Sequence, residues 1–218
     1  MKKLHVYMMP GLAANPSIFE YISLPENSFE THWLTWEIPY KGEPIESYAK
    51  RMTDRIAHPD PILVGVSFGG IIVQEMSRHI NVKKLIIVSS VKHHRELPRR
   101  MRIARTTKAY KLLPTSLVNN FESLAKYAMG EHLTKRADLY RKYLSIRDKQ
   151  YLDWSISQVV NWKQKEPEQR VIHIHGEKDT VFPINHIGEC IKVKGGTHTM
   201  IIHKYKWFNE NLPKLMLA

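Results

Sequence analysis

The sequence predicts an α/β protein with a doubly wound, mostly parallel sheet of about six strands. Three observations predict it. Short apolar runs typical of buried strands recur along the chain, amphipathic stretches separate several of them, and a glycine-rich corner at residues 65–70 joins a strand-like run to a helix-like one. Strands that alternate with helices pair in parallel through right-handed crossovers. Ligands bind such sheets beyond the carboxyl ends of the strands, so functional residues are expected in the loops there.

Apolar runs give the elements in chain order. The predicted strands are residues 4–9, 33–38, 62–64, 84–89, 171–175 and 189–193. Apolar residues at helical spacing predict helices at 45–56, after Ser67, and at about 200–212. Residues 1–91 and 166–218 therefore form the core of one domain. Residues 92–165 separate the fourth strand from the fifth and are predicted to be a helical lid insertion.

Composition is that of an ordinary globular protein, with 43% hydrophobic and 25% charged residues in 218. No apolar run approaches the roughly 20 residues that cross a bilayer, so we expect no membrane span. Cys190 is the one cysteine, which excludes an internal disulfide and fits a reducing compartment. The first residues superficially resemble a secretory signal, but His5, Tyr7 and Pro10 interrupt its hydrophobic region, so we expect no cleaved signal. The expected location is the cytoplasm, and the oligomeric state stays open.

Charge is concentrated in the insertion. Residues 92–165 contain 17 Lys and Arg against 6 Asp and Glu, whereas the rest of the chain has 16 and 15. This excess is either a solvated helical surface or an attraction for an anionic substrate. Nucleic acid is not a predicted partner, because the chain has no recognition motif or stacking platform. Apolar residues of the insertion would line an acyl pocket or pack the lid on the core: Leu112, Leu113, Leu117, Val118, Phe121, Leu124 and Tyr127.

Ser67 lies at the sharp corner between a predicted strand and helix, where a hydroxyl projects clear of the sheet. A hydroxyl is a poor nucleophile near neutral pH, so it needs a base and a group that orients the base. Asp179 follows the fifth strand and His198 follows the sixth, which places both at the same edge as Ser67. Glu96 follows the fourth strand but lies several residues into the insertion.

This arrangement resembles the α/β-hydrolase family, in particular its small single-domain members with a cap. Residues 65–70, 175–179 and 195–198 carry the resemblance, and the insertion falls where that family has its lid. The resemblance implies that Ser67 is the nucleophile and that His198 is the general base and then the acid. It implies that Asp179 orients and stabilises His198.

The resemblance also implies an oxyanion hole formed by the backbone N–H groups of Phe68 and Leu12. The chain has Pro10-Gly11 where many members have His-Gly, which bears on Leu12 more than on Phe68. Further predicted substrate contacts are Gly11, His93 and Phe182.

The predicted function is a serine hydrolase that cleaves an ester, thioester or related acyl substrate through an acyl-enzyme. A carboxylesterase or thioesterase is favoured, with a small-molecule acyl partner and no cofactor. Two alternatives stay open: a C–C bond hydrolase or lyase on the same scaffold, and a binding protein that kept the fold without catalysis. His173 and His175 share one strand face, but no third ligand lies at an obvious spacing, so no metal site is predicted.

Overall fold

A computed structural model describes residues 3–112, 142–166 and 170–218. Its centre is a six-stranded sheet of order β2-β1-β3-β4-β5-β6 in which every described pair of neighbours is parallel. The strands are β1 (Leu4–Met9), β2 (Phe29–Trp33), β3 (Ile62–Val66), β4 (Lys84–Val88), β5 (Val171–Gly176) and β6 (Ile191–Val193). The predicted doubly wound sheet is confirmed.

Helices connect most of the strands and end the chain. In the described residues they are α1 (Ile45–Met52), α2 (Phe68–Met76), α3 (Arg99–Thr107), α4 (Lys149–Asn161), α5 (Met200–His203) and α6 (Tyr205–Leu217). The predicted helix at 45–56 is thus α1 continued by a 3-10 turn, and the predicted final helix is two helices, α5 and α6. None of the described helices is long and apolar enough to cross a membrane.

The strand order places a topological switch point between β1 and β3. The chain moves from β1 to β2 in one direction, then returns past β1 to β3 and continues towards β6. Because crossovers are right-handed, this reversal puts the first connection on one face of the sheet and the next ones on the other. The loops that follow β1 and β3 therefore diverge to opposite faces and leave a crevice at the carboxyl edge.

The second strand differs from its prediction. It was expected at residues 33–38, but β2 is Phe29–Trp33, and its pairing extends one residue further, where Leu34 N–H donates to Met8 O (2.9 Å). Of the other apolar residues in the predicted run, Leu34 and Trp36 are buried and Ile38 is exposed. The Trp36 ring turns inwards and stacks on Phe68 with centroids 5.1 Å apart. β2 itself is an edge strand with a mixed burial pattern, so its polar residues hide it from a search for buried runs.

The predicted lid, residues 92–165, contains a helix that packs on the core. In α4 the Trp154 ring lies 4.4 Å from that of Tyr48 in α1, and its indole N–H donates to Glu43 O (2.7 Å). Just after α4, Trp162 Nε1 donates to the buried Glu75 of α2 at 2.7 Å. The layer of helices on the sheet therefore includes α4. Leu113, Leu117, Val118, Phe121, Leu124 and Tyr127 lie outside the described residues, and so does the side chain of Leu112.

Candidate active site

Ser67 has a strained backbone at the corner between β3 and α2, with φ +53° and ψ −120°. Such a conformation costs free energy in a residue with a Cβ, so the surrounding contacts must maintain it. The Ser67 N–H donates to Val88 O (2.9 Å), and its carbonyl accepts from Ser90 Oγ (2.7 Å) and Gly70 N (2.9 Å). These bonds tie the corner to the end of β4 and hold the hydroxyl clear of the sheet.

Two glycines make this corner sterically feasible. A Cβ added to Gly65 would lie 2.3 Å from Gly69 O, and one added to Gly69 would lie 2.3 Å from Pro10 O. Both contacts are with backbone atoms, which cannot move aside without shifting the strand or the helix. The glycines therefore allow α2 to start directly above β3, close to the loop after β1.

Asp179, His198 and Ser67 form one chain of hydrogen bonds. His198 Nδ1 lies 2.8 Å from Asp179 Oδ2, and His198 Nε2 lies 2.9 Å from Ser67 Oγ. An ionised carboxylate only accepts, so Nδ1 carries the ring proton, and the Nε2 of the neutral ring accepts from the serine hydroxyl. Ser67 is 131 residues from His198 in the sequence, and Asp179 is 19 residues from it, yet the three side chains are brought together in the order that the resemblance implied.

The two oxygens of Asp179 have different partners. Oδ2 accepts from His198, whereas Oδ1 accepts from the backbone N–H groups of Val181 (2.8 Å) and Phe182 (2.9 Å). Burial alone would raise the pKa of this carboxyl, but His198, His175 and these hydrogen bonds outweigh burial and lower the pKa below its ordinary value. The carboxylate therefore stays ionised in an almost fully buried site.

Close backbone packing fixes the loops that present Asp179 and His198. A Cβ on Gly176 would lie 2.4 Å from Gly196 O, so the two loops touch backbone to backbone. Lys178 N–H donates to Gly196 O at 2.8 Å, which joins the loop after β5 to the loop after β6. This backbone contact fixes the spacing of the two loops that carry the carboxylate and the imidazole.

Two further histidines, His173 and His175, lie behind Asp179. His175 Nε2 donates to Phe182 O (2.8 Å) and is 3.5 Å from Asp179 Oδ2, while His175 Nδ1 is 3.0 Å from His173 Nε2. Burial lowers the pKa of His175, and it lowers the pKa of His173 to about 3. Both rings are therefore neutral near pH 7. Their contacts brace the loop that carries Asp179.

Ser67 and His198 open into an apolar pocket of about 850 Å³, a volume that includes the part open to solvent. The residues of its wall come from the segment between β1 and β2, the corner at Ser67, helices α3 and α4 and residue 144 of the insertion, the loop after β5, and the loop after β6 with the helix α5 that follows it. They are Gly11, Leu12, Ala14, Ile18, Val66, Ser67, Phe68, Met101, Leu144, Ile156, Val159, Val160, Val181, Phe182, His198, Thr199, Ile201 and Ile202. No charged Lys, Arg, Asp or Glu side chain is among these described residues.

The predicted substrate contacts divide between this pocket and its surroundings. Gly11 and Phe182 line the pocket, and so do Leu12 and Phe68. His93 is not among the described lining residues; its Nε2 lies 3.8 Å from Glu96.

Glu96 also has a structural role, since its carboxylate accepts from Lys92 N (2.6 Å) and Gly188 N (3.0 Å). It joins the start of the insertion to the loop that follows β5.

The orientation of the Leu12 amide depends on a residue that sequence reasoning missed. Gly11 O accepts from the indole N–H of Trp36 (2.9 Å) and from Ala14 N (3.0 Å). Because C=O and N–H point in opposite directions across a trans peptide, these bonds direct the Leu12 N–H away from Trp36. Phe68 is the first residue of α2, so its N–H is one of the donors that lack an intrahelical partner. Trp36 lies 25 residues after Gly11, in the predicted second strand, so no local pattern linked it to this loop.

Comparison with known proteins supports the fold. The sequence matches no protein-family model, and no curated protein matches it. Among solved structures, an esterase from Exiguobacterium antarcticum has a TM-score of 0.66 at 17% identity, covering 100% of this chain and 93% of that one. A bromoperoxidase from Bacillus anthracis gives 0.67 at 17% identity, covering 99% and 92%.

A mutant of the N-acyl homoserine lactonase AidH, in complex with N-hexanoyl homoserine, gives a TM-score of 0.69 at 15% identity, covering 99% of this chain and 89% of that one. At such identities a structural match establishes the architecture alone. The match extends over almost the whole chain in each case. The chain has the α/β-hydrolase fold.

Proposed function

We propose that this protein is a serine hydrolase that cleaves small esters, thioesters or related acyl compounds. The observation that carries the proposal is the Asp179–His198–Ser67 hydrogen-bond chain, with distances of 2.8 and 2.9 Å, at the floor of an apolar pocket. The proteins of similar fold that are named as an esterase and a lactonase support it. The reaction needs no group beyond the side chains and amides of this chain.

In the first half of the proposed reaction, Ser67 Oγ attacks the acyl carbon while its proton passes to His198 Nε2. The ionised Asp179 stabilises the imidazolium that results, and it holds the ring with Nε2 towards the serine. The oxyanion accepts hydrogen bonds from the N–H groups of Phe68 and Leu12, and each such donor contributes about 3 kcal/mol to lowering the barrier. His198 then protonates the leaving alcohol or thiol.

In the second half, water enters from the open side of the pocket and attacks the acyl-enzyme. His198 Nε2 takes a proton from that water and returns it to Ser67 Oγ as the acid is released. The strained corner keeps the hydroxyl at the same position in both halves, so neither half requires the backbone to rearrange.

The pocket wall indicates an uncharged acyl group. Ile156, Val159 and Val160 of α4 line it together with Ile202 and Met101, and no charged side chain is among the described lining residues. Burial of an aliphatic chain there is favourable by about 0.8 kcal/mol for each CH₂. A carboxylate or phosphate in the same place would lose its hydration without a partner. Any anionic group of the substrate therefore belongs to the leaving group, outside this wall.

The test is labelling with a fluorophosphonate together with hydrolysis of nitrophenyl esters. We expect stoichiometric labelling and turnover in the wild-type chain, and neither in Ser67→Ala. Ser23→Ala, an exposed serine outside the site, is the matched control and should behave as wild type. A folded wild-type chain that is not labelled would overturn the proposal and leave a binding protein. Labelling without turnover of any ester would favour the C–C hydrolase or lyase alternative.

A further inference from the structure

Three histidines meet on one face of the sheet, apart from the residues that line the pocket. His5 lies in β1, His32 in β2 and His58 in the loop before β3, and one ring nitrogen of each lies within 4.8 Å of the others. His5 is four residues before the carboxyl end of β1, which is roughly 13 Å along the strand. We propose that this histidine cluster, together with Glu30, binds a divalent transition-metal ion of the zinc class.

Strand register brings the side chains of His5, Glu30 and His32 onto one face of the sheet. His5 pairs with Glu30, and Tyr7 pairs with His32, so the residues of each strand alternate in step. Glu30 Oε2 lies 3.7 Å from His5 Nδ1, Glu30 Oε1 lies 3.7 Å from His32 Nε2, and those two nitrogens are 3.1 Å apart. Ligand atoms of one tetrahedral ion at bond lengths of about 2.0–2.1 Å lie roughly 3.3 Å apart. The two nitrogens therefore have nearly the spacing of two ligands of one ion, and the carboxylate lies beside both of them, with one oxygen towards each.

The donor set is the one that zinc and its neighbours prefer. Imidazole nitrogen with carboxylate oxygen suits Zn²⁺, Co²⁺ and Ni²⁺, whereas Mg²⁺ and Ca²⁺ prefer oxygen alone. The rings must also be neutral to bind.

Tyr7 supplies the outer contact that metal-bound histidines generally have. Its hydroxyl accepts from Ala57 N (3.0 Å) and lies 2.7 Å from His58 Nδ1. If His58 Nδ1 carries the proton, it donates to the tyrosine oxygen and leaves Nε2 as the metal ligand.

One ring must turn when the ion binds. His5 and His58 are stacked, with centroids 3.4 Å apart and planes inclined by 5°. A metal lies in the plane of an imidazole ligand, so two parallel stacked rings do not share one ion. His58 lies in a loop rather than a strand, and we infer that it is the ring that turns. His5, His32 and Glu30 consequently contribute most of the affinity, and His58 completes the site.

The experiment is calorimetric titration of the untagged, chelator-treated full chain with ZnCl₂. We expect one ion per chain, affinity at least tenfold weaker in His32→Ala and in Glu30→Gln, and a smaller loss in His58→Ala. His79→Ala removes an exposed histidine elsewhere and should bind as wild type. Glu30 is half exposed, so its variant remains informative if His32→Ala does not fold.

Two further measurements decide the interpretation. Cobalt(II) should give the intense visible absorption of a tetrahedral site in the wild type and not in His32→Ala. Zinc should also raise the melting temperature of the wild type, because it binds the folded chain, and leave that of His32→Ala unchanged. Equal affinity in wild type and His32→Ala, or equal losses in His32→Ala and His79→Ala, would overturn the site. So would a wild-type chain that takes up no zinc.

Discussion

Histidines lie beside a carboxylate in two regions of the sheet, the carboxyl edge and the histidine cluster, but their nearest polar partners differ. At the carboxyl edge His198 lies between unlike partners, a carboxylate 2.8 Å from one nitrogen and a hydroxyl 2.9 Å from the other. In the histidine cluster, the nearest partner of His5 is another imidazole, His32, at 3.1 Å. The first arrangement fixes which nitrogen holds the proton. The second does not, since either ring can donate.

That difference suggests different chemistry. A proton that must move from Ser67 to His198 needs a single acceptor nitrogen in a fixed direction, and the ionised Asp179 provides it by accepting from the other nitrogen. Imidazole nitrogens that lie close to one another offer lone pairs without a defined donor. A cation satisfies several of them at once. The proposed reaction therefore uses proton transfer at the carboxyl edge, and the proposed metal site uses cation binding at the histidine cluster.

The largest expected effect comes from changing the carboxylate to an amide in each region. Asp179→Asn should reduce kcat for a nitrophenyl ester by about 10⁴-fold, because the amide N–H favours the wrong tautomer of His198. It should leave zinc affinity unchanged. Glu30→Gln should do the reverse, weakening zinc and keeping full esterase activity. Steady-state kinetics and calorimetry on the same two preparations check both. Loss of activity in Glu30→Gln would mean that the two regions are coupled.

The carboxyl edge could be predicted from the sequence because its signals are local. Each part of it has its own sequence pattern. These parts are the strand Ile62–Val66, the glycines at 65 and 69, and the loops that contain Asp179 and His198. In a parallel sheet all carboxyl ends meet at one edge, so their positions follow from the fold. The sequence therefore predicted that Ser67, Asp179 and His198 lie at this edge.

The histidine cluster could not be predicted in the same way. His5, His32 and His58 come from three separate segments, and no short spacing joins them. Their meeting depends on the β1–β2 register, and β2 was predicted four residues too late. Helix α4 posed a similar problem: its apolar residues show that one face is buried, but only tertiary packing decides whether that face covers the core or a lid.

A second prediction concerns the apolar wall at the carboxyl edge. Catalytic efficiency, kcat/KM, for nitrophenyl esters should rise about fourfold for each added CH₂ until the pocket is full. Val160→Trp fills part of the pocket, so it should remove this gain while changing acetate hydrolysis little. The acetate ester is thus an internal control for folding. The same efficiency for acetate and hexanoate in the wild type would contradict an acyl site in this pocket.

A third prediction concerns His173, which is buried behind Asp179. Its pKa is about 3 in the folded chain and near 6.5 when unfolded, so only the unfolded state gains a proton between these values. Stability should therefore be complete above about pH 6.5 and fall by about 1.4 kcal/mol per pH unit below it. His173→Gln keeps a donor for His175 and should flatten this slope in urea unfolding. His79→Gln, at an exposed position, should keep it.

The smallest effect is expected where the insertion meets the carboxyl edge. Arg100 Nη2 of α3 donates to the carbonyls of Thr180 (2.9 Å) and Val181 (3.0 Å), next to Asp179, and Met101 beside it lines the pocket. Arg100→Ala should raise KM about two- to fivefold with little change in kcat, because an exposed hydrogen bond contributes about 1 kcal/mol. Arg102→Ala removes the same charge from the same helix without this contact. If the basic insertion attracts an anionic substrate instead, both variants should raise KM equally, and the effect should disappear at high salt.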